Sequence, residues 1–272
     1  MKEVTEQTIL ITGATDGIGE ITAQKLADRD AHLLIHGRTP EKLDRVAKEL
    51  QEATGNSTIE TYLADFSSLA NVRQLAEDLL ENHNSLDVLI NNAGLGFEEE
   101  RQVSEDGYEL RFAVNYLAPF LLTHLLLPAL KEAAPARIVN VSSAGQQPID
   151  FDDVMLERNY TATRAYRQSK LALIMFTIDL AEKLRDDNIT VNSLHPGTYL
   201  NTKMVREANI NPLGEAETGA EAEVYLATAP ELEQVTGKYF DQKRESRALD
   251  QAHNTKARKK LWDLSKQWTG LE

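Results

Sequence analysis

The sequence contains no cysteine. That absence excludes disulfides, thiolate nucleophiles and Cys-based zinc sites together, and it is compatible with a reducing cytoplasm, the expected location. Basic side chains are scarce: 29 Lys and Arg stand against 43 Asp and Glu, a formal charge of −14. Such a surface repels a phosphate backbone, so nucleic acid is not an expected partner. Long apolar runs are missing too. The longest, Ala118 to Leu130, is interrupted by Thr123, His124 and Pro128, and it falls short of the ~20 residues that span a bilayer. The start, Met1 to Gln7, is polar and acidic, unlike a signal peptide. No membrane anchor is expected. The six histidines form no His-x-x-x-His or Glu-x-x-His pair on a helix, so a metal site is not expected either.

What is present is an alternation. Thr8 to Thr12, Ala31 to Gly37, Thr58 to Ala64, Leu86 to Asn91, Arg137 to Ser142, Asn188 to His195 and Gly237 to Asp241 read as strands, several nearly continuous in Val, Ile and Leu. Continuous apolar strands are those covered on both faces. Between them, Ile18 to Asp28, Glu41 to Gln51, Leu69 to Asn82, Tyr108 to Leu130 and Ala165 to Arg185 carry helical periodicity, and Asn254 to Trp268 closes the chain. Leu261, Leu264, Trp268 and Leu271 fall on one face of that last helix and read as packing, while Lys256 to Lys260 reads as a solvated face near its end. The pattern predicts an α/β protein: one domain over 1–272, a doubly wound Rossmann fold with a mostly parallel sheet of about seven strands flanked by helices.

The first strand turns into the first helix through Thr12-Gly13-Ala14-Thr15-Asp16-Gly17-Ile18-Gly19. Glycines there let backbone approach a ligand closely, and a helix N-terminus offers unpaired N–H groups to a pyrophosphate. The spacing Gly-x-x-x-Gly-x-Gly departs from G-x-G-x-x-G, and packing alone also produces glycine-rich turns. An NAD site would usually end the second strand with an acid that binds the ribose hydroxyls; here Gly37 and Arg38 stand instead. A guanidinium pairs well with a 2′-phosphate, so NADP(H) is expected over NAD(H), the other reading being a surface arginine before Pro40. Asp65-Phe66 and Asn92-Ala93-Gly94 follow the third and fourth strands, where open α/β sheets bind ligands, although such residues also make ordinary turns.

Tyr-x-x-x-Lys occurs three times, at Tyr166/Lys170, Tyr199/Lys203 and Tyr239/Lys243. A lysine four residues on from a helical tyrosine shares its face and can favour the phenolate of a group whose free pKa is ~10. Only Tyr166 opens a helical pattern. Tyr199 follows Pro196-Gly197 in a loop, and Tyr239 lies in a strand, where residues four apart are ~13 Å apart. Ser142 and Ser143 end the fifth strand, where a hydroxyl could stabilise a developing oxyanion or simply cap the strand. Asn115 is an unfavourable residue inside a helix, either solvated or holding a buried water.

Taken together, Thr12-Gly13-x-x-x-Gly17-x-Gly19, Asn91-Asn92-Ala93-Gly94, Asn115, Ser143, Tyr166-x-x-x-Lys170 and Pro196-Gly197 resemble the short-chain dehydrogenase/reductase family over nearly the whole chain. The resemblance implies carbonyl–alcohol interconversion by hydride transfer, with Tyr166 as general acid/base and Lys170 lowering its pKa while holding the nicotinamide ribose. It also implies that Ser143 orients the substrate oxygen and that Asn115 positions a water relaying protons to Lys170. Thr198 and Thr202 would contact the nicotinamide end, and Asp65 the adenine. Ser143 and Tyr166 are 23 positions apart, and with Phe151-Asp152-Asp153 and His195-Pro196-Gly197 the chain looks like the branch of retinol-dehydrogenase-like and WW-domain oxidoreductases. A small or medium apolar carbonyl compound is the expected substrate class, met by Gly94 to Arg101, Ala144 to Arg164 and Tyr199 to Leu213. The family also implies a homodimer or homotetramer. The alternative is a non-catalytic NADP-binding regulatory protein on the same fold.

Overall fold

The apolar runs become strands whose successive side chains enter two different cores. In the computed structural model, which describes residues 2–96 and 99–271, Ile9 and Ile11 pack on one side of the sheet and Leu10 on the other. The strands are β1 (Thr8–Ile11), β2 (His32–Gly37), β3 (Ile59–Leu63), β4 (Val88–Asn91), β5 (Ala136–Val141), β6 (Ile189–His195), β7 (Tyr239–Asp241) and β8 (Arg244–Ser246). They form one sheet in the order β3-β2-β1-β4-β5-β6-β7-β8, parallel from β3 through β7, with β8 antiparallel at the edge. Met1, Phe97, Glu98 and Glu272, which belong to the expected domain and to one expected pocket segment, lie outside the described residues.

Helices α1 (Gly17–Ala27), α2 (Pro40–Thr54) and α3 (Leu69–Asn82) follow the first three strands. The long helical stretch after β4 is α4 (Leu110–Phe112), a π-helical turn (Ala113–Leu117) and α5 (Ala118–Ala133) in direct succession. Then come α6 (Ala162–Lys183), α7 (Lys203–Glu207), α8 (Ala216–Thr228) and α9 (Thr255–Thr269). One core holds side chains of α1, α2 and α8 against the sheet; the other holds those of α3, α5, α6 and α9. Strand order reverses between β1 and β4, and at such a switch point the loops leave in opposite directions and open a crevice above the carboxyl ends.

Four expectations change. The sheet has eight strands, not about seven, because Arg244–Ser246 pairs back on β7 as a fully exposed edge without any apolar alternation. The helix expected over Tyr108 to Leu130 starts at Leu110 and runs through Pro128 to Ala133, 24 residues long and apolar enough to cross a membrane, yet mostly buried inside the protein. The basic run of α9 occupies its first turns, and Arg258 is buried there, bridging to Asp179 of α6 at 2.6 Å and Glu182 at 2.9 Å. Leu261, Trp268 and Leu271 pack as expected, but Leu264 stays outside the core, and Ser265 of α9 instead hydrogen-bonds the buried Tyr116 at 2.7 Å.

The entrance to the long helix carries a charge pair with no access to solvent. Glu109 caps α4, accepting from Phe112 N at 2.7 Å with one carboxylate oxygen and from Arg111 Nη1 at 3.1 Å with the other. Arg111 also donates from Nε to Gly96 O at 2.9 Å, which ties the loop after β4 to the helix. A buried pair that loses one member leaves the other charge uncompensated. Glu109→Ala should therefore destabilise the chain by about 3–5 kcal/mol, read as a lower urea midpoint. A loss below about 1 kcal/mol, the range of an exposed pair, would show that Arg111 is satisfied without it.

Candidate active site

Above the β1/β4 switch point lies a groove of about 440 Å³. Gly13, Thr15, Asp16, Gly17 and Ile18 line it from the first turn, Arg38 from just after β2, Asp65 and Phe66 from just after β3, Asn92, Ala93 and Gly94 from the loop after β4, and Thr202 from the start of α7. Gly13 and Gly17 have φ of 68° and 57°, left-handed values that glycine adopts without strain. A Cβ on Gly13 would come within 2.8 Å of Ala93 Cα, so the glycine lets the two strand ends meet. Asn92 Nδ2 then donates to the carbonyls of Thr12 and Gly13 at 2.9 and 3.0 Å. The N-terminus of α1 has no side-chain cap, which leaves first-turn N–H groups at the groove for an anion.

Gly19 is packed against the strand ends. It does not line the groove, and a Cβ there would strike Asn92 Nδ2 and Gly13 O at 2.3 Å. Its function is to let α1 lie against the strand ends. Pro196, Gly197 and Thr198 also stand outside the groove lining; Thr198 Oγ1 hydrogen-bonds His195 Nε2 at 3.1 Å. Asp65 Oδ1 accepts from Ser67 N at 2.9 Å, so one of its oxygens shapes the turn. Arg38 is exposed at the rim and makes no hydrogen bond or ion pair among the described residues.

His36 belongs to this site although no motif in the sequence points to it. Its Nδ1 accepts from Gly13 N at 3.2 Å, so Nε2 carries the proton and donates to Ala64 O at 3.1 Å. Burial lowers its pKa to about 4 and keeps the ring neutral. It stacks on Phe66 with centroids 4.3 Å apart. Nothing in local sequence distinguishes it from the other histidines; its role follows from β2 lying beside β1.

At the opposite end of the crevice, α6 brings Tyr166 and Lys170 beside the end of β5. Ser142 Oγ donates to Lys170 O at 2.8 Å, and Lys170 Nζ donates to Val141 O at 2.8 Å. Ser143 Oγ accepts from Gly145 N at 3.0 Å, and a Cβ on Gly145 would stand 3.3 Å from Ser143 Oγ and 3.8 Å from Tyr166 Cε1, which puts the two side chains next to each other. Lys170 Nζ lies 5.8 Å from the Tyr166 ring centroid. Asn115, in the π-helical turn, accepts from Leu95 N at 2.7 Å and donates to Leu95 O and Ser169 Oγ. Its amide thus clamps the loop after β4 to α6 rather than being solvated. Gly94 sits between, where a Cβ would stand 3.3 Å from Asn115 Oδ1 and 3.5 Å from Lys170 Nζ. The structure brings all four expected catalytic residues to one cleft.

Electrostatics modify one expectation. Burial pushes the Tyr166 phenol above its usual range, and the main opposing influence is the Ser143 hydrogen bond, not the ammonium of Lys170. Lys170 is itself lowered to about 8 by burial, held up in part by Glu223. Glu223 of α8 was not foreseen. It is fully buried, accepts from Thr22 Oγ1 at 2.9 Å, and has a second oxygen with no partner. The other two Tyr-x-x-x-Lys pairs split as expected: Lys203 faces Glu207 at 3.4 Å and Lys243 faces Glu221 at 3.0 Å. Tyr199 nonetheless disfavours the Tyr166 phenolate, and Tyr166 that of Tyr239.

Against known proteins, the family model for short chain dehydrogenases matches residues 7–212. Human retinol dehydrogenase 13 is 38% identical, the alignment covering 98% of this chain and 85% of that one. Among solved structures, the RhlG/NADP active-site complex of Pseudomonas aeruginosa is 29% identical with a TM-score of 0.69, over 89% of this chain and 97% of that one. The 3-ketoacyl-(acyl-carrier-protein) reductase of Brucella melitensis complexed with NADH is 27% identical with the same TM-score, over 87% and 96%.

Burial raises the Glu223 carboxyl to about 8, so the folded chain keeps it protonated while the unfolded chain ionises near the usual 4.5. Its share of stability is full below about 4.5 and falls as pH rises towards about 8. Glu223→Gln removes that titration. The stability of the variant relative to the parent should grow with pH across this window, by at most about 1.4 kcal/mol per pH unit. Urea unfolding of both chains at pH 5 and pH 8 measures it, and equal pH slopes would show the carboxyl to be ionised in the fold.

Proposed function

Because the chain belongs to the short-chain dehydrogenase family, we propose that it interconverts a carbonyl compound and an alcohol with NADP(H), Tyr166 exchanging the proton. The observation that carries the reading is the convergence of Tyr166, Ser143 and Lys170: Gly145 adjoins both Ser143 Oγ and the Tyr166 ring, and Lys170 Nζ lies 5.8 Å from the centre of that ring. The crevice fits a nicotinamide dinucleotide: it has left-handed glycines, an uncapped helix N-terminus and, beyond the Val141 bond, two further N–H donors on the Lys170 ammonium. When bound, the dinucleotide supplies or accepts the hydride.

In the reductive direction, the substrate oxygen lies against the Ser143 and Tyr166 hydroxyls. As hydride reaches the carbonyl carbon, the C=O π pair moves onto oxygen. Tyr166 donates its proton there, and the phenolate left behind is favoured by the neighbouring Ser143 hydroxyl. Oxidation reverses each step. A desolvated phenol with a raised pKa holds its proton firmly until the oxyanion forms, and that timing suits a general acid in carbonyl reduction. Gly145, in the segment Ala144 to Arg164, adjoins Ser143 and Tyr166, and the substrate class is an apolar carbonyl compound.

NADP(H) preference rests on Arg38. It follows β2 directly, where an NAD site would place an acid, and its guanidinium is unengaged among the described residues at the groove rim. Tyr166→Phe should reduce kcat by about 10²–10⁴-fold while NADPH binding, followed by nucleotide fluorescence, persists. Turnover near that of the parent would remove Tyr166 from the chemistry, and no activity of the parent on any apolar aldehyde or ketone would favour a regulatory, non-catalytic role. Arg38→Asp should lower the NADPH-over-NADH ratio of kcat/KM by about tenfold or more, equivalent to about 1.4 kcal/mol. An unchanged ratio would place the preference elsewhere.

A further inference from the structure

The opposite end of the sheet carries a second cluster of chemistry-bearing side chains that hydride transfer does not use. His32 opens β2, Glu60 lies near the start of the edge strand β3, and His83 follows the last residue of α3. Glu60 presents one carboxylate oxygen to each ring: Oε1 is 2.8 Å from His32 Nε2, and Oε2 is 3.2 Å from His83 Nε2. The three ligand atoms lie within 4.8 Å of one another. Tyr62, two residues along β3, places its hydroxyl 2.8 Å from His83 Nε2 and 3.2 Å from Glu60 Oε2.

We infer that His32, Glu60 and His83 form a binding site for a divalent transition-metal cation, zinc above all, that clips the edge of the sheet to the end of α3. Two imidazoles and one carboxylate are a donor set suited to a borderline cation of tetrahedral preference, with water in the fourth position. Metal–ligand bonds of ~2.0–2.1 Å place tetrahedral ligands ~3.3 Å apart, so the observed spacings need only small side-chain rotations. The surroundings orient the ligands. Thr8 Oγ1 lies 3.4 Å from His32 Nδ1, and accepting a proton there leaves the Nε2 lone pair aimed at the cluster, as partners of metal-binding histidines do. Tyr62 does the equivalent for the Glu60 carboxylate.

Without a cation, each Nε2 must carry a proton to face Glu60, or two acceptors would oppose each other. A cation removes that requirement. The side chains of His32, Glu60 and His83 are 31%, 44% and 13% exposed, so an ion can reach them, and the formal charge of −14 favours its approach. The consequence is structural. Edge strand β3 pairs only with β2, and the clip would join it to two other segments at a point remote from the crevice, which lies at the far ends of the same strands.

The test uses the untagged full chain after chelation and dialysis, titrated with zinc alone and separately with cobalt(II), whose visible absorption reports tetrahedral coordination. One ion per chain should bind, and zinc should raise Tm. His83→Ala and Glu60→Gln should each weaken binding by about tenfold or more and abolish the zinc-dependent rise, with metal-free Tm confirming that both variants fold. NADPH binding should be unchanged in both, because neither residue reaches the crevice. Absence of stoichiometric binding at micromolar zinc would overturn the assignment, as would undiminished binding in a His32→Ala/His83→Ala chain. The cluster would then be a hydrogen-bonded clasp between strand and helix.

Discussion

Everything at the crevice depends on how tightly β1 and β4 are joined at the point where the strand order reverses. Thr12 Oγ1 accepts from the backbone N–H groups of Asn92 and Ala93 at 3.0 and 3.1 Å, and it lies 3.3 Å from Ile90 O as donor. The Asn92 amide returns two bonds to the carbonyls of Thr12 and Gly13. This reciprocal clasp needs backbone contact that no side chain at position 13 or 19 would permit. With it in place, the loops after β1 and β4 diverge from a fixed origin, and the groove between them has a rigid floor.

The chemical end is held by a buried polar chain instead. Asn91 on β4 donates to Asn140 Oδ1 on β5 at 2.8 Å and to Thr123 Oγ1 on α5 at 3.1 Å; Asn140 donates onward to Thr177 Oγ1 on α6 at 2.9 Å. Ser142 then fixes the α6 backbone at Lys170. Amides and hydroxyls of this kind are costly to bury unpaired and directional when paired. They therefore specify where α6 sits along β5, and so the placement of Tyr166 against Ser143. Apolar packing alone would allow α6 to slide; the amide chain does not.

What could be read from the chain divides along the same physical line. Strands covered on both faces announce themselves by continuous Val, Ile and Leu, as Ile9 to Ile11 and Val88 to Ile90 do. The glycine turn, the Ser143 strand end and the helix bearing Tyr166 were legible because local residue choice and position on the sheet agree. β8 was not, since a polar three-residue edge strand exists only by pairing with β7. The π-helical turn at Asn115 was visible only as an awkward residue in a helix. His36, Glu223, the Glu109–Arg111 pair and the His32–Glu60–His83 cluster are set by neighbours 23 to 201 positions away or by burial, which no local pattern encodes.

An acidic chain that binds an anionic dinucleotide must arrange its few cations with care. Three line the groove among the described residues: Arg38, Lys42 and Lys203. Lys42 is engaged by Asp16 at 3.0 Å and Lys203 by Glu207 at 3.4 Å, so their charges are largely answered within the protein. Arg38 is answered by nothing among the described residues. Backbone N–H groups at the start of α1 supply attraction for the pyrophosphate without net charge, but they cannot distinguish one dinucleotide from the other. A charge that discriminated between them would have to come from a side chain at the end of β2, where the adenine ribose lies in this class of fold. On a surface of −14, one unpaired guanidinium at that point provides local contrast that an additional paired lysine would not.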